Sequence, residues 1–295
     1  MSVFNRETFT RILSAIVTLP VLVYVLTTDD FLSLPVLIAT VIISLFCLYE
    51  FYMMADRGEE GYPFIKAGLI FGFILNVLMY VFAYGKLLGL SGTIALYDAR
   101  IITAYFMVFI ATVLILQLFT RPLKGAAYSL GVTLFGVFYI VLSLSHLILL
   151  KSLKDGPFYI IIAVAVVMLN DTGAYFGGTA FGKHKAGIAA SPNKSWEGYF
   201  TGLLFSVIAF ILTNQIFISF FGRELFSMIE CVFLGILLSI MANIGDLIES
   251  AIKRDGGFKD SGRIIPGHGG MWDVFDATIF ALPFFYYYLV FKGIP

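Results

Sequence analysis

Nine runs of apolar residues, parted by short polar stretches, make up most of this chain. They fall near residues 12–27, 31–54, 64–83, 101–119, 127–150, 158–176, 199–221, 226–247 and 274–292. Within each run the apolar residues are continuous rather than alternating, which argues for helices over barrel strands. Most runs are close to the ~20 residues a helix needs to cross the hydrocarbon core. The first is shorter, and Asp29 and Asp30 close it. Arg6 and Arg11 ahead of it imitate a signal peptide. Pro20 lies inside the run, however, and no clear small-residue cleavage site follows, so it reads as a first membrane helix. The pattern predicts an all-α, polytopic integral membrane protein with about nine transmembrane helices.

Composition agrees. Of 295 residues, 60% are hydrophobic and only 13% charged, and the mean hydropathy is +0.95. Soluble domains are nearer half apolar and about a quarter charged. A formal net charge of zero offers no argument for a nucleic-acid partner. Cys47 and Cys231 sit inside apolar runs and read as core or lipid-facing thiols, not as a disulfide or metal ligands. With the N-terminus placed in the cytoplasm, thirteen of the nineteen Lys and Arg residues fall on that side and six on the other. That orientation sets the loop after residue 247 in the cytoplasm.

That loop is where the few charges gather. Between the last two apolar runs lies NIGDLIESAIKRDGGFKDSGRIIPGHGGMWDVFD, from Asn243 to Asp276. Ionisable groups at membrane depth are costly and mark functional sites by default. Asp246, Glu249, Ser250, Lys253 and Arg254 share one helix face, and Gly256 and Gly257 then break the helix. Pro266, Gly267, Gly269 and Gly270 surround His268 in a turn whose backbone N–H groups can approach an anion closely. Asp273 and Asp276 stand three apart at the start of the next helix, where Asp273 also suits an N-cap and Asp276 suits the positive helix end. Carboxylates, cations and a glycine turn together fit a Mg²⁺-held polyphosphate. A second polar stretch, from Asn170 to Gly198, carries Asp171, Lys183, His184, Lys185, Ser191 and Lys194. Two crossings separate the stretches, which puts both on one membrane face. Lys183–Lys185 read as a solvated, headgroup-facing patch, and Trp196 and Tyr199 as interfacial aromatics.

The combination S-x-x-K-R-x-x-x-x-K-D followed by P-G-H-G-G-x-x-D-x-x-D resembles the phosphatidate cytidylyltransferases, the CDP-diacylglycerol synthases. Ser250, Lys253, Arg254, Lys259, Asp260, Pro266, Gly267, His268, Gly269, Gly270, Asp273 and Asp276 carry the match. The D-T-G-A-Y at Asp171 and S-P-x-K-[ST]-W-E-G from Ser191 resemble the same family. One position departs: the family usually has Arg where this chain has Val274, and Arg263 is the cation best able to compensate.

The resemblance implies transfer of a cytidylyl group from CTP to phosphatidate, giving CDP-diacylglycerol and pyrophosphate in phospholipid biosynthesis. It implies Mg²⁺, with room for a second cation, on Asp273 and, as a weaker ligand, Asp276; Asp246, a carboxylate where the membrane ends, reads as a metal ligand from the cost of charge there. Lys253, Arg254, Lys259 and Lys194 would contact phosphates, and Asp171, Asp260 and His268 would orient them. Ser191, Ser250, Gly267, Gly269 and Gly270 complete the substrate-binding set. Residues 1–156 then read as scaffold and 157–295 as the part carrying the site. The partners are the bilayer, CTP and phosphatidate, with a homodimer as the one higher assembly considered. The compartment is an inner (cell) membrane with the site facing the cytoplasm. Two other readings stay open. A CTP-dependent lipid kinase of the dolichol-kinase type would move the γ-phosphoryl group instead. A transporter would need its charges near the bilayer midplane, in broken helices.

Overall fold

A computed structural model describes residues 25, 28, 30–85, 87, 99–265 and 269–294. Apart from Val25, the predicted segment 12–27 lies outside the described residues, as do Pro266, Gly267 and His268. Among the described residues the regular elements are all helical, and β pairing is limited to two isolated bridges. Eight helices are long and apolar enough to cross a membrane, one for each of the remaining predicted segments. The chain is an all-α integral membrane protein. In lipid a spanning segment must satisfy its own backbone N–H and C=O groups, and continuous apolar runs can do so only as helices.

The chain divides into two units. The first comprises the described residues up to Ser152 together with Gly256–Phe275. Its helices are α1 (Asp30–Met54), α2 (Ile65–Tyr84), α3 (Ala99–Thr120), α4 (Ala126–Gly136) and α5 (Leu142–Ser152). A π-helical turn, Val137–Val141, joins α4 to α5 within one span. Leu48, Leu75, Phe109, Ile140 and Leu144 are fully buried between these helices. Because lipid gives apolar side chains no reason to prefer protein, polar bridges and close packing do the fixing. Tyr52 donates its hydroxyl to the Thr133 carbonyl at 2.7 Å, the Phe64 amide donates to Thr133 Oγ1 at 2.8 Å, and Asn76 donates to Ser44 Oγ at 2.9 Å. The Arg121 guanidinium lies over the rings of Tyr62 and Phe64 and donates to the carbonyls of Tyr62 and Pro63, which pins the loop ahead of α2.

The second unit comprises Leu153–Asp255 and the chain from Asp276 onward. It holds α6 (Gly156–Phe181), α7 (Trp196–Phe221), α8 (Met228–Asp255) and most of α9 (Met271–Phe291). Tyr159, Phe210, Phe226 and Phe285 meet mostly edge to face in its core. Near the start of α8, Glu230 takes Lys292 at 2.6 Å and the Tyr288 hydroxyl at 2.8 Å, tying α8 to the end of α9. Phe200, Leu212 and Phe220 project outward on α7, as lipid-facing residues do.

Candidate functional site

At the other end of the second unit, α6, α7, α8 and α9 bring polar side chains together. The cause begins in local sequence. Ser195 caps α7, its Oγ accepting the Gly198 amide at 3.2 Å. Glu197, in the first turn, accepts both the His184 amide and its ring nitrogen, the latter at 2.5 Å. The strand-like pairing of Lys185 with Ser195, and the Lys185 ammonium on the Asn193 carbonyl, close the 183–195 loop onto the helix start. This geometry points Lys194 at α8, where its ammonium pairs with Asp246 Oδ2. Burial pulls the Lys194 pKa down, but the charge and hydrogen bond of Asp246, helped by Tyr199 and Asp171, outweigh it and leave it above the ordinary lysine value.

Asp246 is joined on the same helix face by Glu249, Ser250 and Lys253. Ser250 donates to Asp246 Oδ1 at 3.3 Å, and Lys253 pairs with the fully buried Glu249 at 2.6 Å. From α9 comes Asp276. Gly245 lets α9 approach this closely, since a Cβ there would lie 2.7 Å from the Asp276 carbonyl. Asp246, Glu249 and Asp276 each offer an oxygen within 4.8 Å of the others, the only such trio among the described residues. Oxygen-only donors at this spacing fit a hard divalent cation. The two lysine contacts balance part of the negative charge these carboxylates concentrate.

Behind the trio lies a buried amide. Asn170 is fully buried, and its Oδ1 accepts from Ser239 Oγ at 2.7 Å and from Asn243 Nδ2 at 3.2 Å. Its Nδ2 donates to Asp171 Oδ1 at 3.1 Å. The helix runs on to Phe181, so Asp171 lies within α6 rather than at its end, and a bridge that spans α6 and α8 holds it there.

The first unit carries its own polar cluster. The chain leaves at Ile265 and returns at Gly269, with two backbone hydrogen bonds across the closure. Asp273, in the first turn of α9, sends Oδ2 back to the amides of Gly270 (2.7 Å) and Ser261 (2.8 Å) and takes the Ser261 hydroxyl at 2.9 Å. The expectation of a capping role for Asp273 changes in form: it sits at the third helical position and closes back on the glycine before the helix.

Of the residues expected from sequence, Asp171, Lys194, Asp246, Ser250, Lys253 and Asp276 gather in the second unit. Ser191 is half-buried in the 183–195 loop, and its carbonyl accepts the Lys194 amide at 3.2 Å. Arg254 is exposed on the last turn of α8, and Lys259, Asp260 and Arg263 are exposed in the loop of the first unit that also holds Gly269 and Gly270. Gly267 and His268 lie outside the described residues. Sequence reasoning placed Glu249 on the right face without giving it a role; its i+3 spacing from Asp246 was the signal. It passed over Glu50 altogether.

Residues 9–292 match the model of the cytidylyltransferase family. A phosphatidate cytidylyltransferase of Staphylococcus haemolyticus is 46% identical over 130 residues, which cover 44% of this chain and 48% of that protein. Its counterpart in Staphylococcus saprophyticus is 45% identical over 135 residues, 46% and 50% of the two chains. The one from Staphylococcus aureus strain COL is 44% identical over 135 residues, 45% and 49% of the two. The chain spans about half the length of the curated relatives it matches.

Proposed function

The chain belongs to the cytidylyltransferase family, and from that premise we propose that it transfers a cytidylyl group from CTP to phosphatidate. The relatives named phosphatidate cytidylyltransferase supply the substrate pair. The observation that carries the reading is the trio of Asp246, Glu249 and Asp276 with two lysines in contact. Three carboxylates and adjacent ammonium groups suit a divalent cation carrying a polyphosphate better than they suit a transported solute.

In this reading an oxygen of the phosphatidate phosphate attacks the α-phosphorus of CTP. The bond from that phosphorus to the bridging oxygen breaks, and pyrophosphate leaves with the electron pair. A phosphate monoester is already ionised near neutral pH, so no side-chain nucleophile is required. When bound, Mg²⁺ would neutralise charge on the triphosphate oxygens. Asp246, Glu249 and Asp276 would hold it in the second unit, and Asp273, in the first unit, is a candidate metal ligand in its own right. Lys194 and Lys253 would exchange their carboxylate contacts for phosphate oxygens, acting as mobile cations at the site. Arg254 and Lys259, both exposed, would bind phosphate directly, while Asp171, Asp260 and His268 orient neighbours. Ser191, Ser250 and the glycines Gly267, Gly269 and Gly270 supply hydroxyl and backbone donors.

The excess of Lys and Arg on one side supports a cytoplasmic site, where CTP is made, with the acyl chains left in the bilayer. The test is direct. Purified protein given CTP, phosphatidate and Mg²⁺ should yield CDP-diacylglycerol and pyrophosphate. A phosphorylated lipid with CDP released would instead make it a CTP-dependent kinase.

A further inference from the structure

Glu50 lies one turn from the end of α1, in a helix that otherwise reads as scaffold. It is 96% buried (4% exposed), and a buried carboxylate is costly unless it is paired or hydrogen-bonded. Its partners are specific. Oε1 accepts the Met271 amide at 3.0 Å, and Oε2 accepts the Trp272 amide at 2.8 Å and the Ser261 hydroxyl at 3.1 Å. Those amides are the first two of α9. A helix start exposes unpaired N–H groups and a partial positive charge, and a side chain at the N-cap normally answers both. Here the N-cap position is Gly270, which has no side chain to offer. A Cβ on it would stand 2.6 Å from Glu50 Oε2, so the glycine leaves the space that the remote carboxylate fills.

The remaining amides of the turn are answered by the same cluster. Gly270 donates to Asp273 Oδ2, and the Asp273 amide donates to Ser261 Oγ at 3.2 Å. Four consecutive amides, from Gly270 to Asp273, are thus capped by Glu50, Ser261 and Asp273 with no contribution from an N-cap side chain. Next to Glu50, Phe51 packs edge-on against the buried Trp272, ring centroids 5.5 Å apart. Consecutive residues of α1 therefore grip consecutive residues of α9, one by hydrogen bond and one by packing.

We propose that Glu50 is a positioning residue for the reaction: it caps α9 in place of Gly270 and so fixes the direction in which Asp273 presents its carboxylate. This rests on the cytidylyltransferase reading for its catalytic consequence, but not for its structural one. The chemistry follows from the contacts. With Glu50 gone, two amides lose their acceptor, the Ser261 hydroxyl is left with Asp273 alone, the first turn of α9 frays, and Asp273 loses its fixed frame. Glutamine has the size of glutamate but only one acceptor oxygen, so it can serve one amide while its own NH₂ faces the other.

The experiment compares wild type with Glu50→Gln, and with Ser261→Ala as a second variant that removes a donor to both carboxylates without leaving a charge. Amide hydrogen exchange over residues 269–276 is read alongside the Mg²⁺ concentration for half-maximal CDP-lipid synthesis and the Mg²⁺-induced rise in melting temperature. Expected are exchange at least tenfold faster in that peptide, a several-fold higher Mg²⁺ requirement and a smaller Mg²⁺-induced stabilisation. A merely structural glutamate would lower the amount of folded enzyme but leave the Mg²⁺ requirement of the folded fraction unchanged, and that outcome overturns the proposal. So does wild-type exchange in 269–276. Failure of wild type itself to make CDP-lipid would strike the proposed reaction, while the exchange and melting measurements still decide the role of Glu50.

Discussion

Replacing Asn170 by Ala should destabilise the second unit and loosen Asp171 together. The side chain is fully buried and makes three contacts of 3.2 Å or less, to Ser239, Asn243 and Asp171, with longer ones to Ser206 and back to Asn243 at 3.4 Å. Interhelical hydrogen bonds in membrane proteins average about 0.6 kcal/mol each, so the two short ones that cross to α8, from Ser239 and Asn243, come to roughly 1 kcal/mol. Alanine also leaves the Ser239 hydroxyl and the Asn243 amide seeking new partners in a dry interior, at a cost of about 1–3 kcal/mol where they find none. A loss of about 2–4 kcal/mol follows, and for a chain of this size that lowers the melting temperature by roughly 4–8 °C. The distances also order the neighbours. Ser239→Ala, which removes the 2.7 Å contact, should cost more than Ser206→Ala, which removes one at 3.4 Å. The assay is a thermal melt in detergent with CDP-lipid turnover measured well below the transition. Turnover of the Asn170 variant should fall further than that of an equally destabilised variant elsewhere, because Asp171 has lost its 3.1 Å tether. A melting change below about 1 °C, or a larger effect from Ser206→Ala than from Ser239→Ala, would refute the reasoning.

Asp246→Asn and Asp273→Asn should each abolish turnover while the protein still inserts, and near-normal rates at limiting Mg²⁺ would remove them from the metal-binding set. For Lys194 the sign can be worked out. Its folded pKa is raised above 10.5, so its stabilising contribution is complete below the unfolded pKa and lost only as pH rises through the folded one. The stability gap between wild type and Lys194→Met should therefore stay flat from about pH 6 to 9 and close only above about 10.5; a gap that closes near neutrality would contradict the pairing with Asp246. Arg263→Ala should cost more activity than an exposed arginine ordinarily does, with Val274→Arg partly restoring it in a double-variant cycle. A silent Arg263→Ala shows that no compensation for Val274 is at work.

The spans were legible because a continuous apolar run of about twenty residues has few options in lipid. The gathering of Lys194, Asp246 and Asp276 was legible too, because charges are scarce here and each sits where an apolar run ends. Glu249 was half legible: its face was plain, but only the fold shows it buried against Lys253 and within reach of Asp276. Glu50 could not be found from spacing. In LYEFYMM it looks like one more polar residue near a helix end, and its partners lie 211 to 222 residues away. Local patterns report on periodicity and caps within a segment, and a cap lent by a distant helix leaves no local trace. Asn170 was hidden for a related reason, since a lone amide in an apolar helix acquires meaning only from the serine and asparagine that α8 sets against it.

The most direct test of the central claim follows the two ends of CTP. Purified protein would be given phosphatidate, Mg²⁺ and CTP labelled either at the α- or at the γ-phosphate. The account predicts that α-label enters the lipid and γ-label leaves in pyrophosphate, in equal amounts. Label from the γ-phosphate appearing in the lipid, with the α-label released in CDP, would contradict it.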